Sequence, residues 1–164
     1  MSNKGKMSRG MKAVECNAYL FYEIDDKTEK KIDGGIQGIN PEYQTKDAAC
    51  ADIATPVKIV IPPHKSVKQD LWIGFEIPRG YKIVMYPRSS LLIKRGLMQP
   101  VSIIDSDFSG QPISVPLHNL TDEEVVIEAG ERVAQIECVP AYDCVSWAHK
   151  NVVRGQGGFG STGK

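Results

Sequence analysis

Tyr81-Lys82-Ile83-Val84-Met85-Tyr86 decides the fold class of this chain. Apolar and polar residues alternate there, β-branched and aromatic types dominate, and Pro87 ends the run. That is the pattern of a β-strand with one face on a core. The same reading extends outward. Upstream, Val57-Lys58-Ile59-Val60-Ile61 ends at Pro62-Pro63. Downstream, Ile113 to Leu117 leads into the turn-like Asn119-Leu120-Thr121-Asp122. Glu124 to Glu128 and Arg132 to Val139 then flank Ala129-Gly130. Short strands at this spacing, cut by Pro and Gly, predict an all-β sandwich or barrel. The only helix expected is a short one within Leu91 to Met98. Asp25 to Lys46 is charged and glycine-bearing and reads as a loop.

A chain of 164 residues without repeats or a linker is expected to be one domain, 1–164. Basic and acidic residues balance at 20 each, which argues against a nucleic-acid polymer as partner. Cys16, Cys50, Cys138 and Cys144 lie far apart and form no C-x-x-C pair, so free thiols in a reducing compartment are expected. His64, His118 and His149 are scattered as well. No apolar run approaches a membrane span, and the polar start Ser2-Asn3-Lys4-Gly5-Lys6 is no signal peptide. The protein is expected to be soluble and cytoplasmic, with no membrane partner.

The last eleven residues cannot build a core: Arg154-Gly155-Gln156-Gly157-Gly158-Phe159-Gly160-Ser161-Thr162-Gly163-Lys164. They can wrap an anionic, flat ligand. Glycines give backbone amides access to phosphate oxygens, Phe159 can stack on a base, and Arg154 can grip a phosphate bidentately. Gly158 to Lys164 also imitates a P-loop. A P-loop needs a preceding strand, a Ser or Thr after the Lys and a helix to follow, and here the sequence stops at the Lys with no helix to supply a dipole. P-loop NTPase chemistry is therefore not expected.

Five segments, in order, resemble the trimeric type of deoxyuridine triphosphate nucleotidohydrolase (dUTPase) family. They are Asp47-Ala48-Ala49-Cys50-Ala51-Asp52-Ile53-Ala54, Pro87-Arg88-Ser89-Ser90-Leu91, Ile103-Ile104-Asp105-Ser106-Asp107-Phe108-Ser109-Gly110, Gly130-Glu131-Arg132-Val133-Ala134-Gln135-Ile136, and the glycine-rich tail. The resemblance implies a β jelly roll (β-clip) assembled as a homotrimer, with three sites at subunit boundaries. It implies cleavage of dUTP between the α and β phosphorus atoms to give dUMP and pyrophosphate, with Mg2+ bound through the substrate phosphates and water. Residues 1–46 become an extended N-terminal region, and 154–164 a flexible C-terminal lid.

The roles of individual residues follow from the same resemblance. Asp105 is the expected catalytic base, an ionised carboxylate able to orient a water toward the α-phosphorus and take its proton. Phe108 stands where the family usually has Tyr; its ring packs against the deoxyribose and excludes a 2′-hydroxyl. Arg88, Ser89 and Ser90 resemble the receiver of the α and β phosphates, with Arg88 also bracing a carboxylate. Gln135 resembles a polar contact to phosphate or ordered water, and Asp52 the acid that holds magnesium-bound water without ligating the metal. Gln99, Ile103, Ile104 and Ile113 complete the substrate-binding set. Ile113 belongs to a hairpin whose backbone reads uracil. Pro112 and Pro116 remove donors there, and Asn119 falls one residue late, an excess that a β-bulge would absorb. Arg154, Phe159, Gly160 and Ser161 resemble a lid donated to a neighbour's site, with Arg154 on the γ-phosphate and Phe159 on uracil. Cys50-Ala51, Ser102 and Glu131 depart from the common Gly-Tyr or Gly-Leu, Gly and Asp. Two other readings use the same fold. A dCTP deaminase relative would carry a Glu in Ile113-Ser114-Val115-Pro116-Leu117, which has none. A nucleotide-sensing binding module would use Asp25 to Lys46 as a partner surface; an intact Asp105 and tail favour hydrolysis.

Overall fold

The computed structural model describes residues 14–22, 24–25, 30–31, 35–143 and 147. Chain order runs β1 (Asn17–Leu20), β2 (Ile24–Asp25), β3 (Lys30–Lys31), β4 (Ala51–Ala54), β5 (Ile59–Ile61), β6 (Ser66–Asp70), β7 (Ile73–Glu76), β8 (Tyr81–Tyr86), α1 (Ser89–Arg95), β9 (Leu97–Met98), β10 (Ser102–Asp105), one 3-10 turn (Ser106–Phe108), β11 (Ser114–Asn119), β12 (Val125–Ile127) and β13 (Arg132–Pro140). The fold is all-β with one short helix, as the strand pattern predicts.

Every pairing is antiparallel. The largest sheet has the order β10-β8-β13-β4, and a second has the order β6-β11-β9. Pairs β1-β7 and β5-β12 complete the body. One core joins them: Ile53, Ile61, Leu71, Ile73, Ile83, Met85, Val115, Leu117, Ile127 and Val133 are almost entirely removed from water. Each such side chain contributes about 1.5–3 kcal/mol of transfer free energy.

In β8 the alternation read from sequence is only half the story, because Ile83, Val84 and Met85 are all buried. β8 is a central strand, and Val84 on its outer face is flanked by Ile103 of β10 and Glu137 of β13. Cross-strand neighbours cover what a lone strand would expose.

Helix α1 is shorter than the Leu91–Met98 reading. It stops at Gly96, which adopts φ 63° and donates its N–H to the Leu91 and Leu92 carbonyls. A Cβ there would sit 2.4 Å from Thr121 Cγ2, so only glycine ends this helix. Leu97 and Met98 then pair with β11 instead of continuing the helix.

The Asp25–Lys46 reading as a loop needs correction where residues are described. Ile24–Asp25 pairs with Lys30–Lys31, Tyr22 bridges Gln37, and Glu42 bridges Asp52. Pro116 sits in β11 opposite Lys68. It is tolerated because β9 reaches only His118 and Asn119, so its flank of β11 carries no ladder. Ser114 to His118 run in unbroken register against Asp70 to Ser66, so no bulge interrupts that stretch. The register shift lies instead in β13, between Arg132 and Ala134. Ser102, where the family usually has Gly, lies in ordinary strand conformation. The positive-φ non-glycine residues among those described are His64 and Trp72.

Candidate active site

The β13 bulge builds the site. In the ladder with β4, Gln135 faces Asp52 and Ala134 faces Ile53, and after the shift Arg132 faces Ala54. Val133 is the extra residue, and both Val133 and Ala134 are fully buried. In a regular strand, Arg132 and Gln135, three residues apart, would point to opposite faces. The bulge turns Arg132 outward beside Gln135, so the two flank Asp52.

The side chains then converge. Asp52 accepts from Arg88 Nε at 3.3 Å through Oδ1 and from Arg132 Nη1 at 3.1 Å through Oδ2. Its side chain is only 11% exposed. Arg88 Nη1 donates to the Arg132 carbonyl at 3.2 Å, and Gln135 Nε2 donates to the Pro87 carbonyl at 3.1 Å. Two guanidiniums against one carboxylate leave the cluster cationic, which suits a polyphosphate and disfavours direct metal binding. No group of three or more His, Cys, Asp or Glu side chains near enough to cage a metal occurs among the described residues. Each Asp52 oxygen keeps further accepting capacity.

Arg88 precedes α1 in extended conformation, with Ser89 and Ser90 opening the helix. At the far end of α1, Arg95 clamps the helix to the β12–β13 connection, donating to Val126 O at 2.9 Å and to Glu131 Oε2 at 2.5 Å. Glu131 Oε1 also accepts the Glu128 amide at 2.8 Å. The longer Glu in place of the family's Asp serves both contacts. Two neighbours of the cluster hold their protons more tightly than usual. The Tyr86 hydroxyl, cross-strand from Gln135, donates to Glu137 at 2.6 Å, and this bond raises its pKa. Burial, then the charges of Glu137 and Asp52, push the Cys50 thiol up.

Asp105 is not part of this cluster. It ends β10 opposite Lys82, whereas Gln135 lies opposite Tyr86. Four residues along β8 put Asp105 at least about 13 Å away. Around Asp105, Ile103 is 58% exposed, Ile104 is buried, and Phe108 is half-buried against the core. Gln99 is 5% exposed, yet neither of its amide atoms has a hydrogen-bond partner among the described residues. Ile113 departs from its expected role as a backbone reader. Its N–H donates to Ile73 O at 2.8 Å, its carbonyl accepts from Leu71 N at 3.0 Å, and its side chain is buried. Those groups are spent on the sheet. Arg154, Phe159, Gly160 and Ser161 lie outside the described residues. Sequence reading missed Arg132 as a site residue; the bulge that exposes it is a property of register, which composition does not reveal.

The dUTPase family model matches residues 37–163. The chain belongs to the dUTPase family. Over 129 residues it is 40% identical to the deoxyuridine 5′-triphosphate nucleotidohydrolase of Hydrogenobaculum sp. (strain Y04AAS1), covering 75% of this chain and 89% of that one. It is 35% identical over 141 residues to the Chlamydia pneumoniae enzyme of the same name, covering 81% and 95%. The all-β architecture is the dUTPase jelly roll. A dUTPase of phage phi11 of S. aureus superposes with TM-score 0.65 at 18% identity, covering 86% of this chain and 98% of that one. The Streptococcus mutans dUTPase gives 0.62 at 24%, covering 76% and 98%. The phi11 structure is described as coordinating a structural Mg(II) ion. No described helix of this dUTPase is long and apolar enough to cross a membrane.

Proposed function

We propose that this dUTPase hydrolyses dUTP to dUMP and pyrophosphate in sites shared between the subunits of a homotrimer. It would act on the free nucleotide in the cytoplasm, in keeping with its balanced charge. Family membership carries the activity. The cationic cluster of Arg88, Arg132 and Asp52 with Gln135 supports a triphosphate as ligand.

In this reading the carboxylate of Asp105 orients a water and accepts its proton. The water oxygen bonds the α-phosphorus as the bond to the α–β bridging oxygen breaks, and pyrophosphate leaves. Arg88, Ser89 and Ser90 hold the α and β phosphates, with Gln135 beside them. Phe108 lies against the deoxyribose and leaves no partner for a 2′-hydroxyl. Asp52 accepts from water on a magnesium ion, which would supply charge neutralisation to the phosphates when bound. The tail closes the site, with Arg154 on the γ-phosphate, Phe159 on the base, and Gly160 and Ser161 on the triphosphate. The distance between Asp105 and the Asp52 cluster supports the shared site, because a single chain offers the two halves at opposite ends of β8.

Pyrophosphate release measured on dUTP, dCTP and UTP tests the reading. Turnover of dUTP with the other two nearly untouched is expected; equal rates on dUTP and dCTP would refute it. Mixing Asp105→Asn chains with Arg88→Ala chains, each nearly inactive alone, tests sharing. Partial recovery on subunit exchange is expected, and none would mean that each site is built within one chain.

A further inference from the structure

Away from the nucleotide site, two cysteines distant in sequence meet. Cys16 immediately precedes β1, and Cys138 lies in β13 opposite Ile83. Both pack against the hydrophobic core. Both line one cavity of about 270 Å3, walled by Ala18, Phe75, Ile83 and Ile136. The two side chains therefore share one wall of the protein interior. Neither is in a disulfide.

We propose that Cys16 and Cys138 form a reversible thiol–disulfide site that staples the segment entering β1 to β13, closed by exchange with a small-molecule disulfide. A metal role fits poorly, because no third ligating side chain joins the pair among the described residues. A role as a reactive nucleophile fits poorly too. Burial, then the neighbouring Cys138, pushes Cys16 up to about 11, and burial raises Cys138 as well. Both thiols therefore stay protonated at neutral pH and attack slowly. What favours the bond is proximity: once one sulfur is activated, the other is already beside it.

The exchange proceeds in two steps. The thiolate of one cysteine attacks a sulfur of R–S–S–R, forming a mixed disulfide and expelling one R–S⁻. The second cysteine, deprotonated, attacks the protein sulfur of that mixed disulfide, forming the Cys16–Cys138 bond and expelling the other R–S⁻. Two protein thiols lose two electrons and two protons, and the reagent is reduced to two thiols. Because both pKa values lie high, closure should accelerate about tenfold per pH unit between pH 7 and 9. The bond closes most of the chain into a loop and should raise Tm by roughly 5–15 °C.

The test treats the full chain with oxidised glutathione under native conditions, then maps peptides without reduction. A Cys16–Cys138 linked peptide pair is expected, together with the Tm rise, and both should be reversed by dithiothreitol. Cys16→Ser and Cys138→Ser should each abolish the link and retain glutathione on the remaining cysteine. The double variant Cys50→Ser/Cys144→Ser should keep the link. Stable glutathione adducts on both cysteines without a link, a link through Cys50 or Cys144, or a disulfide between chains would each overturn the proposal.

Discussion

Asn119 and Gln99 are both buried carboxamides, at 0% and 5% exposure. Asn119 Nδ2 donates to the carbonyls of Ile61, Pro62 and Glu123, while its Oδ1 accepts from the Thr121 amide and hydroxyl. It ties the end of β5, the turn after β11 and the start of the β12 approach into one corner. Gln99, a few residues from Asp105, has no such ties within the described residues. Burying an amide unpaired costs about 1–3 kcal/mol, so a protein that keeps one has a use for it outside its own fold. The first residue serves the scaffold, and the second spends neither of its amide atoms on it.

The contrast between scaffold and site residues is sharpest at Asp105. Asp105→Asn should lower kcat by about 10²–10⁴-fold while leaving Tm and nucleotide binding intact, as kinetics, calorimetry and titration with a non-hydrolysable analogue would show. Asn119→Ala should do the reverse. Three carbonyls and two donors lose their partner, so stability should fall by about 3 kcal/mol in urea unfolding, with kcat per folded molecule unchanged. Gln99→Leu separates the two buried amides directly. It removes an unpaired polar group, so stability should hold or rise, yet KM for dUTP should rise about 3–10-fold. A loss of stability without a change in KM would break the comparison.

The smallest effect belongs to a surface pair. Hydrogen bonds from Tyr19 at 2.7 Å and from Asn17 lower the pKa of the exposed Glu76. A carboxylate with a lowered folded pKa contributes stability above its unfolded pKa and loses it as pH falls through the folded value. Glu76→Gln should therefore flatten the acid side of the Tm–pH curve slightly, without touching kcat.

Much of the fold was legible because apolar runs report burial directly. Tyr81–Tyr86 and Arg132–Val139 lie where the strands are. Ser66–Asp70 was invisible because a strand reading Ser-Val-Lys-Gln-Asp, with only Val67 and Gln69 half-buried, carries no apolar signal. β10 (Ser102–Asp105) overlaps the motif that starts at Ile103, and its short apolar pair Ile103-Ile104 is too brief to signal a strand. The family was legible through its motifs, which name residue types and order. What they do not give is register. Both the turning-out of Arg132 and the internal use of Ile113 depend on which residue faces which across a ladder.

The bridge between Glu42 and Asp52 has a practical consequence. Glu42 and Asp52 exchange both backbone hydrogen bonds, at 3.0 and 2.9 Å, along the outer side of β4. β4 is the last strand of its sheet, and an unprotected sheet margin recruits strands from other molecules. Expression variants trimmed past Pro41 lose this cover together with β1 and should therefore precipitate even with every catalytic group retained.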